Sequence, residues 1–317
     1  MRRLALFLLE AWLVAGAAVG ASAQGFPSED PALDAPSRIG DILAVDNSLS
    51  VSYELTRFDY GEPSNDCIFV GACPSTAKYL DLETGYRRGG KAALSYMGSL
   101  LGAGGDWYAR ASYRFIQGAA AYSGYGLPEP LPPAGLSSSL VSATSDDSVY
   151  DLSLRLGKGF SAGESWMFTP YVLGGYHHWL RKLDAGTSSS FDQIFSNGYI
   201  GGGEMVQVAA LDRLVLTADA SAAAQFRSSL AAEPSASYQA LGYASRYIFD
   251  MEGGPLVDAG AEIDYRLWRK LHVFAGFDWS HASYRQSQII AVGAGDYMQP
   301  ESITTMASWS VGLRQSF

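Results

Sequence analysis

Beyond its first 23 residues the sequence has no apolar run approaching the roughly 18 to 20 residues of a membrane-spanning helix, so any bilayer crossing must use strands. Charge is scarce, at 17% of 317 residues, and the formal net charge is −10. With no basic patch to grip a polyanion, nucleic acid is excluded as a partner. Four histidines and two cysteines leave little for a metal centre, and no metal-ligand spacing or nucleotide fingerprint is present. Gly201, Gly202 and Gly203 lie in a strand pattern with no following helix, so they mark a bend or close packing and not a phosphate loop. No cofactor and no metal are expected.

What is present begins with Arg2 and Arg3, an apolar run from Leu4 to Val19 interrupted by Glu10, and Ala21-Ser22-Ala23. That order is a secretory signal peptide over residues 1–23, and the run is too short for an anchor helix. Cleavage after Ala23 exposes Gln24 instead of a cysteine, which excludes a lipid-modified terminus. Residues 24–44 are rich in Pro and Asp without a period and read as a periplasmic lead-in. Export also sets the state of Cys67 and Cys73: with five residues between them, an oxidising compartment and no His nearby, they are expected to form one local disulfide.

From residue 45 to 317 the chain alternates with period two. In Tyr150-Asp151-Leu152-Ser153-Leu154-Arg155-Leu156 every second residue is apolar, and Trp107 to Phe115, Leu214 to Phe226 and Val257 to Leu267 behave alike. These phases predict ten strands, near 45–60, 84–99, 105–120, 146–160, 165–182, 196–211, 212–228, 251–267, 269–287 and 303–317. Their connections alternate between short turns and long loops, as in an up-and-down barrel with turns at one end and loops at the other. The 35 Gly, 19 Tyr, 14 Phe and 7 Trp suit such strands with aromatic belts. Alternation alone does not separate a sandwich, apolar inside, from a barrel that is apolar toward lipid.

The C-terminus separates them. Trp309, Val311 and Leu313 alternate toward a final Phe317, an ending that resembles the assembly signal of bacterial outer-membrane barrels, although Gln315 stands where an aromatic is commoner. Together with Glu83-Thr84-Gly85-Tyr86, Asp106-Trp107-Tyr108-Ala109-Arg110, Thr169-Pro170-Tyr171 and Gly175-Tyr176-His177-His178-Trp179, the chain resembles the loosely defined Gram-negative outer-membrane β-barrel proteins. The resemblance implies an all-β, antiparallel transmembrane barrel of about ten strands in the outer membrane. It implies no activity.

With apolar residues toward lipid, the lumen collects Glu54, Asp151, Asp219, Asp258, Glu262, Asp264 and Asp278 against Arg110, Arg114, Arg155, Arg227, Arg266 and Arg314. Such near balance reads either as an ion path or as a salt-bridge network that plugs a narrow bore; the plug is favoured, because charges in a low-dielectric space must be paired. In size the chain also resembles the omptin proteases, which use an Asp pair and an Asp–His pair at the extracellular rim. Asp146, Asp147, His177, His178, Asp278 and His281 are the candidates, but Asp278 and His281, three apart, point to opposite faces of a strand. A Ser–His hydrolase using Ser280 or Ser283 has no better support.

The expected role is thus structural, surface-interacting or narrowly conducting, with an omptin-like hydrolase and a solute porin as alternatives. The expected partners are outer-membrane lipids and the barrel assembly machinery, and the barrel is expected to be a monomer. Deleting Phe317 or making it charged should reduce membrane insertion and leave protein to periplasmic proteases. Unchanged surface levels in fractionated cells would refute the assembly signal.

Overall fold

The computed structural model describes residues 38–63, 79–100, 103–126, 139–184, 191–240, 242–292 and 295–317. The expected signal peptide, Cys67 and Cys73 lie outside these residues. In chain order the elements are α1 (Arg38–Asp46), β1 (Ser48–Pro63), β2 (Tyr79–Leu100), β3 (Ala103–Gly126), β4 (Ser139–Ala162), β5 (Trp166–Asp184), β6 (Phe191–Leu211), β7 (Leu214–Pro234), α2 (Ala236–Ala240), β8 (Tyr247–Trp268), β9 (Leu271–Ser287), the hairpin β10 (Ile290–Val292) and β11 (Gly295–Tyr297), and β12 (Ser302–Ser316). Every barrel strand pairs antiparallel with its neighbours, and β12 returns to β1, from Ser48 opposite Ser316 to Gly61 opposite Ile303. The result is a closed barrel of ten strands with no free sheet edge.

The short turns lie at the end where the barrel chain begins and finishes. Two of them, between β6 and β7 and between β8 and β9, hold only two residues each, and their tightness puts Arg213 and Arg269 at φ 71° and 43°. The longest strands have 24 residues. Tilted by roughly 40°, a strand of that length climbs about 60 Å, around twice a hydrocarbon core. Only part of each strand can therefore face lipid.

Side-chain polarity shows which part. On β1, Tyr53 and Leu55 face out while Glu54 and Thr56 are buried in the lumen; a few residues on, Phe58 and Tyr60 are buried inside and Arg57 is exposed outside. The same inversion separates Phe115 outside from Ile116 inside on β3, and Tyr150 outside from Val149 inside on β4. Below it the outer surface carries exposed Leu152, Leu154, Leu156, Val172, Ile200 and Val311. This apolar belt runs between a lower ring of Trp107, Phe160, Phe168, Tyr265 and Phe317 and an upper ring of Phe115, Tyr150, Tyr176 and Phe226. From ring to ring, both ends included, a strand has nine to eleven residues, the length that crosses hydrocarbon.

The strands extend beyond their expected limits at the long-loop end: β3 continues to Gly126, β4 begins at Ser139 and β7 continues to Pro234. Above the inversion the pattern is apolar inside and polar outside, the opposite phase from the one that located the strands. Residues 38–46, the end of the expected lead-in 24–44 and the first two residues of the expected strand 45–60, form a helix, which enters the bore. Leu154→Arg, in the middle of the belt, should destabilise the bilayer-inserted barrel by roughly 2–4 kcal/mol, whereas Ser148→Arg, above the upper ring, should cost about 1 kcal/mol or less. Denaturant titration in vesicles reads both, and equal effects would remove the boundary from this position.

Candidate functional site: the barrel lumen

The bore is built in storeys. At the short-turn end, α1 presents Ile42 and Val45 to Met97, Tyr108, Met167, Met205 and Val215, which together close the lower bore. Nine residues are too few for a helix to be stable alone, so packing holds it. Polar contacts fix its position. Arg266 pairs with Asp41 at 3.0 Å, the Arg213 amide donates to the same carboxylate, and Gln207 donates to Asp46 at 3.1 Å. The Asn47 side chain donates to the Met97 carbonyl and accepts from the Met97 amide. Beside the helix, Arg314 bridges Glu262 at 2.7 Å and Asp264 at 2.6 Å, and Asp264 also binds His272.

Above this floor is a chamber of about 180 Å³. Arg114 reaches Glu54 at 2.9 Å and Asp151 at 3.8 Å, and Asp151 holds His177 at 2.8 Å. Across the chamber, Arg155 pairs with Asp219 at 3.2 Å and lies over the Tyr171 ring. Tyr171 in turn donates to Asp219. Gly203 permits that arrangement, since a Cβ there would stand 2.7 Å from the Tyr171 hydroxyl. Lys91 pairs with Asp278 at 3.6 Å, Ser221 donates to Asp258, and Arg110 lines the wall.

The chamber's roof is aromatic. Phe58, Tyr60, Ile116, Val149, Trp179, Phe195 and Tyr284 form one buried cluster, joined by Val292 and Tyr297 of the β10–β11 hairpin. Trp179 stacks on Phe195 with ring centroids 4.6 Å apart. Against this layer lies a second ionic group. Arg87 and Arg181, neither exposed at all, both bind Glu83, at 2.6 and 2.7 Å. Arg87 also bonds Asp147, which accepts the Trp179 indole N–H at 3.1 Å. Arg181 bonds Gln193, Tyr122 donates to Asp81, and Glu62 accepts from Tyr60 and Gln299. Each guanidinium also covers an aromatic face, Arg87 that of Phe58 at 3.5 Å and Arg181 that of Tyr60 at 5.0 Å.

The expected charges are thus distributed over two storeys. Arg110, Arg114, Asp151, Arg155, Asp219, Asp258, Glu262 and Asp278 line the chamber, Glu54 is buried against Arg114 beside it, and Asp264, Arg266 and Arg314 bind at the floor. Arg227 does not face the lumen. A bulge at φ 51° puts it outside next to Phe226, so strict alternation failed there by one residue. Trp309, Val311, Leu313 and Phe317 are exposed on the outer face.

The hydrolase candidates do not assemble. Asp146 faces out and Asp147 is buried against Arg87; His177 is inside, whereas His178 and His281 are outside, hydrogen-bonded to Ser196 and Thr305. Ser280 lines the chamber and Ser283 lies on the opposite strand face. Residues the sequence reading missed are Asp41, Lys91 and His272 and the whole upper group around Glu83, Arg87 and Arg181. The even spacing of Asp81, Glu83 and Arg87 carried the signal, with Asp81 and Glu83 in what read as a loop and Arg87 near the start of the expected strand 84–99.

Removing the guanidinium of Arg181 leaves Glu83 buried with less compensation. Arg181→Ala should destabilise the barrel by roughly 3–5 kcal/mol, and Arg181→Lys by less. Melting followed by the heat-dependent shift in gel mobility tests this, and an unchanged transition for Arg181→Ala would show that the upper ionic group adds nothing to stability.

No protein-family model and no curated protein matches the sequence. Among solved structures, the chain is similar to the outer membrane protease OmpT from Escherichia coli, at 8% identity over 86% of this chain and 97% of that one, with a TM-score of 0.46. It is also similar to the translocator domain of the autotransporter NalP from Neisseria meningitidis, at 13% identity over 98% and 99% with a TM-score of 0.36. A third is Ail, the attachment invasion locus protein of Yersinia pestis, at 10% identity over 86% and 99% with a TM-score of 0.28. Likeness at this level carries no argument about activity, and the architecture rests on the strand pairing of the chain itself.

Proposed function

We propose that this protein is an outer-membrane β-barrel with a closed lumen, serving as a rigid support that presents its long loops at the cell surface. The observation that carries this reading is the filling of the bore. A helix packs into one end, an aromatic layer and a buried ionic group lie across the other, and between them is a chamber of about 180 Å³. A solute porin needs a continuous aqueous path. Outer-membrane lipids around the belt and the barrel assembly machinery at the C-terminal strand are the partners this reading assigns.

The omptin-like alternative lacks its chemistry, because an Asp pair and an Asp–His pair would have to meet at an accessible rim. Here the carboxylate–imidazole pair of Asp151 and His177 lines the chamber within the lumen, beneath the aromatic layer, and not the rim. Recording from refolded protein in planar bilayers tests the proposal. The wild type should show no steady conductance, or only brief small events. Arg266→Ala, which removes the ion pair to Asp41, should loosen α1, lower the melting temperature and raise the frequency of openings. A large, steady, ohmic conductance in the wild type, unaffected by Arg266→Ala, would show an open pore and put the porin first.

A further inference from the structure

Between the two aromatic rings, the outward side chains of β3 to β7 are apolar or small with two exceptions, Lys158 on β4 and Glu204 on β6. A charge in the lipid-facing belt is unfavourable unless something offsets it. Lys158 is partly accommodated, its ammonium lying 5.6 Å and 5.9 Å from the rings of Phe160 and Trp107. Glu204 is exposed, and among the described residues no Lys, Arg or His stands within ion-pair distance of it. The two have opposite sign and flank one strand symmetrically. Glu204 is paired in register with Pro170 of β5, and the pairing of Gly157 with Tyr171 sets Lys158 beside Pro170 on the other side. Between them β5 presents a low, flat row of Pro170, Val172 and Gly174, continued by Gly202 on β6.

We propose that this face is the interface of a two-fold homodimer in the membrane, in which each Glu204 pairs with Lys158 of the partner subunit. A two-fold axis along the bilayer normal at β5 sets β4 of one copy against β6 of the other. An isologous contact then makes the same ion pair twice. The flat row of β5 lets the two barrels approach closely, and contact excludes lipid from both charges, so opposite charges replace two unpaired ones in a low-dielectric surround. This departs from the monomer expected from sequence, and it rests on the membrane-spanning reading.

Charge reversal tests it. Refolded protein is measured by sedimentation equilibrium in detergent micelles and by energy transfer between tagged copies in phosphatidylcholine vesicles, with gel mobility shift confirming folding of every variant. The wild type should dimerise. Glu204→Lys and Lys158→Glu should each weaken self-association by at least about tenfold. A mixture of the two single variants should associate, since each then offers the charge that the other needs, and the double reversal should dimerise on its own. A wild type that floats with vesicles and remains monomeric overturns the dimer alone. So does a dimer indifferent to both reversals. Singles that lose stability as monomers, regained by the double reversal but not by mixing, would place the ion pair within one chain and overturn the proposal too. Protein that folds but does not float with vesicles overturns the membrane reading itself.

Discussion

Closure of the sheet by the pairing of β1 with β12 is the constraint from which the other features follow. Once ten strands form a ring, every second side chain is committed to a bore only slightly wider than the roughly eight-stranded size that side chains can fill. Inside it, polar groups meet one another or trapped water. The arginines therefore bridge carboxylates: Arg114 spans Glu54 and Asp151, Arg314 spans Glu262 and Asp264, and Arg87 spans Glu83 and Asp147. A buried ion pair contributes little net stability by itself. Losing one partner leaves an uncompensated charge, which is costly, and the pairs thus specify the filled arrangement more than they strengthen it.

The outer surface obeys a different rule at each height. In the belt it meets hydrocarbon, so Leu152, Leu154 and Val172 face out and, apart from residues such as Lys158 and Glu204, the charged residues face in. Above the upper ring the surroundings suit water, and the interior becomes the apolar compartment, with Trp179 stacked on Phe195 and Tyr60 edge-on to both. One strand can serve both regimes because its geometry is unchanged; only the identity of the residues at inward positions changes. Aromatic side chains suit the roof, since a few of them span the bore and their faces accept the guanidinium groups of Arg87 and Arg181.

At the opposite end the seal is made by the chain's own α1. A nine-residue helix would not persist in water, but here its apolar side enters the bore and its acidic residues meet Arg266 and Gln207. Its hold depends on a few polar contacts around a small apolar patch. The upper end combines an aromatic stack, a fully buried ionic group and the β10–β11 hairpin.

The period-two pattern by itself determined the ten strands, their antiparallel order and the alternation of turns and loops, because in the belt lipid and lumen impose opposite polarities on successive residues. It determined most of the lumen charges for the same reason. Tertiary structure decided the rest. The upper strand ends were illegible because the polarity phase inverts there, so Asp81 and Glu83 read as loop and the buried, inward place of Arg87 in its strand went unrecognised. Arg227 was misplaced because a bulge shifts the phase by one residue, an event set by pairing with β6 and β8. The helix at residues 38–46 escaped because its stability comes from the bore it fills. Which acid meets which base was likewise beyond the pattern: alternation assigns each side chain to a face, but partners such as Arg114 and Glu54, or Arg266 and Asp41, come together only when the ring closes.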